Sequence, residues 1–298
     1  MITIKNVSKI LGNKKILNNI NIDIEKGSIF GVIGENGVGK TTLIKCMLGI
    51  YKQDEGEITV DGQSIFENPE VKQKIGYVAA ETQYYSSFKV KELVKFYSLT
   101  YDRFSYERFK ELNKIFKIPE NKRGRELSKG MKMRVSLMLN LSIYPEILIL
   151  DEPTSGLDPI IKRKLMNILV EEVSQREMTI FMASHNLDDL ERICDSVAIM
   201  EKGEIKYINK IDDMKEHIKK LQVLFKDENK AEEIKNWYEI IAVEKIGRIN
   251  YLITNNYSEE LQEKILKLGA TFVEEIDLSL EDMFIYSIEG GKEDEKAM

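Results

Sequence analysis

An α/β fold with a second, smaller α+β unit behind it is predicted by three features of this 298-residue sequence. Four short apolar runs, Ser28–Ile33, Ile147–Leu150, Thr179–Ala183 and Val197–Met200, read as strands buried on both faces of a parallel sheet, and helical stretches alternate with them. The first sixty residues instead alternate apolar with polar positions, as Ile20, Ile22 and Ile24 do, in the manner of half-buried strands. From Leu221 the order is strand, helix, strand, strand, helix, strand, which is that of a ferredoxin-like domain. One domain per ~150 residues fits a division into two. Charge marks the place: residues 216–298 carry a net −8 and residues 1–215 a net +2, so the boundary is expected near Ile211–Leu221.

The elements follow in order. The run Glu57–Asp61 is a strand entering an Asp61-Gly62 turn. The strand Ser28–Ile33 leads into a Gly-rich turn, and Thr41–Leu48 is a helix closed by Gly49. Val90–Ile118 is helical by period and rich in aromatics, and a helical region is expected over about 88–145. Lys202-Gly203 turns the strand at Val197–Met200 back through Ile205–Ile208. In the tail, Leu221–Phe225, Ile240–Glu244, Ile249–Thr254 and Thr271–Ile276 read as strands, with Gly247 at a turn. Ala231–Tyr238 and Glu259–Leu268 read as the helices, so the small domain is expected over 219–290. A last helix starts at Ser279 with Asp282 in the capping-box position, and the charged residues 291–298 are expected to fray.

Composition narrows the function. Hydrophobic residues make up 43%, enough for a core, and a net charge of −6 disfavours a life on bulk nucleic acid. The longest uncharged run, Val135–Pro145, falls well short of the ~18 residues of a membrane span. The start, MITIKNVSKI, lacks the apolar core of a signal peptide. Cys46 and Cys194 read as small buried residues of a reducing compartment, and His217 as a solvated helix residue.

Residues 34–42, Gly-Glu-Asn-Gly-Val-Gly-Lys-Thr-Thr, fit the phosphate-binding pattern G-x-x-x-x-G-K-[ST] between a strand and a helix. By chance the bare pattern occurs in roughly one chain in a hundred of this length. Glycines let backbone N–H groups turn inward around a phosphate, and the helix N-terminus adds partial positive charge. Lys40 would reach the β- and γ-phosphates, and the Thr41 hydroxyl would ligate Mg²⁺. The run Ile147–Pro153 sets Asp151 and Glu152 at the carboxyl end of a buried strand, where open α/β sheets bind ligands. Asp151 would hold Mg²⁺ through water, and Glu152 would polarise the attacking water.

Carrying these motifs, the first 215 residues resemble the ATP-binding subunit of an ABC transporter. Leu127-Ser-Lys-Gly-Met131 stands where that family has its LSGGQ signature, Ser155-Gly-Leu-Asp158 resembles its D-loop, and His185 occupies the place of its switch histidine. The resemblance implies a P-loop NTPase cassette with an antiparallel β subdomain and a helical subdomain, and two bound ATP molecules in a head-to-tail dimer. It implies that Gly34, Asn36, Gly37, Val38, Gly39, Lys40, Thr41 and Thr42 bind ATP, with Lys40, Glu152 and His185 catalytic. Ser128, Lys129, Gly130 and Met131 would complete the site of the opposite subunit, and Asp158 would belong to the D-loop.

Three departures from the family pattern stand out. Lys129 replaces a signature glycine and Met131 the glutamine, a variant resembling those of export-type ATPases. The aromatic that stacks on adenine aligns with Leu11. The glutamine expected after Ile75-Gly-Tyr-Val78 falls on Ala80, with Glu81 and Gln83 close by as candidate metal ligands. The resemblance implies a cytoplasmic subunit docked through the permease on the inner face of the membrane, with a second ATP-binding subunit as partner and no nucleic acid. The other readings are an ABC-type ATPase acting on nucleic acid or ribosomes and a nucleotide-binding regulator that does not turn over. Of the aromatics Tyr84, Tyr85, Phe88, Phe96, Tyr97 and Tyr101, core packing accounts for most, and a permease helix would dock beside them.

Overall fold

The computed structural model describes residues 1–80, 86–227, 230–280, 282–283 and 286. The chain divides into two compact units, Met1–Ile208 and Asn209–Met298, so the division precedes the expected end at residue 215.

In the first unit β1 (Ile2–Leu11) and β2 (Lys14–Ile24) form an antiparallel hairpin in which Ile2 faces Ile24 and Ile4 faces Ile22. All four side chains are buried, which fixes the register, because a one-residue slip would turn every one of them to solvent. Then come β3 (Ile29–Ile33), α1 (Lys40–Met47), β4 (Glu55–Val60) and β5 (Gln63–Ser64). Next, α2 (Pro69–Gln73) starts where Asn68 accepts from the Val71 N–H with Pro69 in the first turn, and β6 (Ile75–Val78) follows. The strands β2-β1-β4-β5 make one sheet.

The helical part holds α3 (Val90–Thr100), α4 (Tyr106–Phe116) and α5 (Lys129–Leu141), within the expected range of about 88–145. Ser105 caps α4 by accepting from Arg108 N–H at 3.2 Å, and Ser128 caps α5 by accepting from Met131 N–H at 3.3 Å. Continuing, β7 (Ile147–Asp151) leads to α6 (Pro159–Arg176), β8 (Thr179–Ser184), α7 (Leu187–Glu191), β9 (Ser196–Glu201) and β10 (Glu204–Lys210). Here Asp158 caps α6 and Pro159 opens it. The sheet order is β10-β9-β3-β8-β7-β6, with β9, β3, β8, β7 and β6 parallel. Every residue of β3, β7 and β8 is buried, as their unbroken apolar runs require. This sheet brings the ends of β3, β7 and β8 side by side. Cys46 and Cys194 are both buried, as expected of them.

The C-terminal unit contains α8 (Ile211–His217), β11 (Lys219–Phe225), α9 (Lys230–Ile234), β12 (Ile240–Ile246), β13 (Ile249–Thr254), α10 (Glu259–Lys267) and β14 (Ala270–Ile276). Its sheet runs β12-β13-β11-β14, all antiparallel, over its own core of Leu221, Val223, Ile234, Leu252, Leu261 and Ile265. The helix α9 stops before the expected Tyr238 because the chain turns at Trp237, whose N–H bonds to Ile234 O and whose ring packs on that core. Ser279 accepts from Asp282 N–H at 3.1 Å, the first half of the expected capping box. Residues 291–298 lie outside the described residues. Since each unit has its own buried core, deleting residues 209–298 is expected to leave Mg-ATP affinity unchanged in a soluble, folded truncation. Isothermal titration of nucleotide checks this, after circular dichroism has verified the fold.

Candidate functional site

The turn between β3 and α1 gathers the first half of the site. Gly39 has φ +120, a conformation L side chains rarely adopt, and an added Cβ would meet Met200 Cε at 2.9 Å. It opens α1 without a side-chain cap, and no acidic residue stands in the first turn. The helix therefore presents uncapped N–H donors and its positive end to whatever occupies the turn. Lys40 is buried and curls back, its ammonium donating to Gly34 O and to Glu35 O, the latter at 3.1 Å. Burial lowers its pKa, and Glu152 and Asp151 oppose that shift.

The second half comes from β7. Thr41 Oγ1 donates to Asp151 Oδ2 at 2.9 Å, and Lys40 Nζ lies 4.0 Å from Glu152 Oε1. Burial raises the pKa of Asp151, against the Thr41 hydrogen bond, and a cation bound there would favour the charged carboxylate. Glu152 has φ +51, a left-handed conformation costing a non-glycine residue about 1–2 kcal/mol. Its N–H donates to Ala183 O at 2.9 Å, and its carbonyl accepts from Ser155 N–H at 3.1 Å. Glu152 Oε2 lies 2.7 Å from His185 Nδ1, whereas Oε1 is buried without a hydrogen bond among the described residues. An unsatisfied oxygen there is costly until a ligand or water reaches it.

Lys40, Thr41, Asp151 and Glu152 line one cavity of about 320 Å³ with Asn36, Gly37, Gly39 and Thr42. Val38 instead packs against the core. The wall also includes Ile16 and Ala80. Leu11 does not line this cavity: it sits at the outer end of β1 opposite Lys14, 37% exposed, and Ile16 on the paired strand forms part of the wall. Nothing in the spacing of the sequence distinguishes Ile16 from its core neighbours. Ala80 reaches the cavity but has no side-chain oxygen with which to ligate a metal. Glu81 and Gln83 lie outside the described residues, as do Tyr84 and Tyr85.

The remaining candidates stand at a second place. Ser128 and Lys129 are exposed at the start of α5, Met131 is half-buried, and Lys129 Nζ donates to Ser155 Oγ at 2.8 Å. Gly130 packs so closely that a Cβ would lie 2.3 Å from Gly156 O, which binds the α5 terminus to the 152–158 turn. Asp158 spends its carboxylate on Ile161 N–H at 3.0 Å.

The donor set fits Mg²⁺. A hydroxyl and a carboxylate at hydrogen-bond distance are hard oxygen donors, and no group of three or more His, Cys, Asp or Glu able to hold a metal occurs among the described residues. Mg²⁺ is commonly held this way, by one or two protein oxygens with substrate phosphates and water completing the shell.

Comparison with known proteins yields consistent matches. The family model described as ABC transporter matches residues 17–155, and one described as AAA domain, putative AbiEii toxin, Type IV TA system matches residues 123–188. The chain is 33% identical over 293 residues to the ABC transporter ATP-binding protein YtrB of Bacillus subtilis (strain 168), covering 98% of this chain and 99% of that protein. It is 31% identical over 298 residues to the bacitracin transport ATP-binding protein BcrA of Bacillus licheniformis, covering 96% of each. The dimeric structure of MJ0796, a bacterial ABC transporter cassette, matches with a TM-score of 0.65 at 25% identity, over 71% of this chain and 99% of that one.

Proposed function

The chain belongs to the ATP-binding subunits of ABC transporters, ATPases that work with membrane permeases and dimerise, and on that premise we propose that it powers a separate permease exporting drugs, peptides or lipids. The observation that carries the catalytic reading is the Glu152–His185 pair at 2.7 Å beside the Lys40 cavity. ATP enters with its phosphates on the uncapped N–H groups of α1. Lys40 exchanges the Gly34 and Glu35 carbonyls for the β- and γ-phosphate oxygens. Glu152 takes the proton of the water that attacks the γ-phosphorus, the bond from that phosphorus to the bridging oxygen breaks, and ADP and phosphate result. His185 holds the Glu152 carboxylate and faces the γ-phosphate. Thr41, with Asp151 through water, would hold Mg²⁺, which neutralises charge on the phosphate oxygens when bound.

Ser128, Lys129, Gly130 and Met131 act in the opposite subunit of the dimer, at its γ-phosphate, so ATP binding and dimerisation stabilise one another. A bacitracin-like cargo draws support from the match to the bacitracin transport protein, which runs through the C-terminal unit as well as the cassette. Among the described residues no helix is long and apolar enough to cross a membrane. The proposed place is the cytoplasmic face of the membrane, reached through the permease. Reconstitution in vesicles with the polytopic protein that co-purifies from detergent-solubilised membranes tests this. Mg-ATP on the ATPase side should carry cargo away from that side, and movement toward it would overturn export.

The alternative, an ATPase acting on nucleic acid or ribosomes, predicts many phosphate contacts and binding that weakens steeply with salt. With an overall charge of −6, no RNA or duplex binding is expected at physiological ionic strength. Fluorescence anisotropy checks this, and sub-micromolar, salt-sensitive binding would favour the alternative.

A further inference from the structure

We infer that Asp189 is a positioning residue for ATP hydrolysis, an inference resting on the roles given above to Glu152 and His185. Asp189 lies in α7 and is 1% exposed. Its Oδ2 accepts from Thr154 Oγ1 at 2.7 Å, and its carboxylate also pairs with the ammonium of Lys162 in α6. Thr154 stands two residues after Glu152, Asp189 four residues after His185, and Lys162 four residues after Asp158. One buried carboxylate therefore ties together the turn that carries the base, the segment that carries the histidine and the helix that Asp158 caps.

Burying a carboxylate is unfavourable unless it is both paired and hydrogen-bonded, and an apolar residue in the same space often gives equal or greater stability. Thr154, in the turn that carries Glu152, supplies the hydrogen bond and Lys162 in α6 supplies the opposite charge, while Asp189 itself stands on the segment that carries His185. The turn also starts from a residue in a left-handed conformation. Two backbone bonds hold Glu152 in that shape, to Ala183 and from Ser155. The Thr154–Asp189 bond is the side-chain restraint linking the same turn to α7. Without it the turn can relax, and the Glu152 carboxylate moves off the His185 imidazole.

Three variants of the full-length chain test this: Thr154→Val, Thr154→Ser and Asp189→Asn. Loss of the restraint should lower kcat for Mg-ATP hydrolysis by roughly 10–100-fold, the scale of a small misplacement of reacting groups. KM should stay unchanged, and Thr154→Ser should retain turnover because it keeps the hydroxyl. A second readout needs no turnover. The chain has two histidines, so ¹⁵N-histidine NMR resolves His185 once a His217→Gln variant assigns the other. In Thr154→Val and Asp189→Asn the His185 Nδ1 resonance should move toward that of free imidazole. Full turnover in a Glu152→Gln control would overturn the role of Glu152 and this inference with it. A stalled control, beside wild-type kcat and an unmoved His185 resonance in the Thr154→Val and Asp189→Asn variants, would overturn the positioning role alone. Parallel losses of kcat, ATP affinity and melting temperature that Thr154→Ser fails to rescue would also overturn it.

Discussion

Replacing Glu152 with glutamine is expected to lower kcat by about 10²–10⁴-fold, the range that positioned general bases contribute, while leaving Mg-ATP binding intact. Glutamine keeps the length and shape of the side chain, so it can remain against His185 and preserve the left-handed turn, but it cannot take a proton from water. The Glu152 oxygen without a hydrogen bond among the described residues lies 4.0 Å from Lys40 Nζ. Single-turnover hydrolysis and nucleotide titration separate the two effects. Because ATP then persists at the interface, the variant should accumulate as an ATP-bound dimer in size-exclusion light scattering. Wild-type turnover would move the base elsewhere.

Lys40→Ala is expected to weaken Mg-ATP binding by at least ~100-fold. Two charge-assisted hydrogen bonds to phosphate together contribute about 3 kcal/mol or more, and about 1.4 kcal/mol is a factor of ten. Lys40 donates to the backbone carbonyls of Gly34 and Glu35, and burial lowers its pKa against the nearby Glu152 and Asp151 carboxylates. Phosphates would give it charged oxygen acceptors in place of those neutral carbonyls. Equilibrium titration with a fluorescent ATP analogue reads the loss, and wild-type affinity would sink the role of the 34–42 turn.

What was legible in the sequence is what is local. The strand, turn and helix around Gly34–Thr42 carry their own dictating residues, since only glycine suits φ +120 at position 39. The four apolar residues before Asp151 announced a strand buried on both faces. The tail order could be read because each short element has its own turn or cap, as Ser258 provides for α10 by accepting from Leu261 N–H. The Asp189 cluster could not be read. Thr154, Lys162 and Asp189 are ordinary polar residues until the sheet and α6 bring them together. Ile16 was hidden for a similar reason, because strand alternation alone does not say which apolar residue of a hairpin overlooks a cavity. Helix α9 was overextended because helical spacing around Trp237 ignores the pull of the core on a large ring.

The two buried cysteines have a practical consequence. Burial pushes the Cys46 thiol up to about 11 and raises that of Cys194 as well. Only thiolate reacts with maleimides, and at pH 7 roughly one Cys46 side chain in ten thousand is in that form even before steric shielding is counted. The folded chain is therefore nearly inert to thiol labels as it stands. A single cysteine placed on the exposed face of α3, at Leu99 for instance, would take a fluorophore or spin label alone. Distances between such labels on two subunits could then be followed through the hydrolysis cycle, with both native thiols left in place.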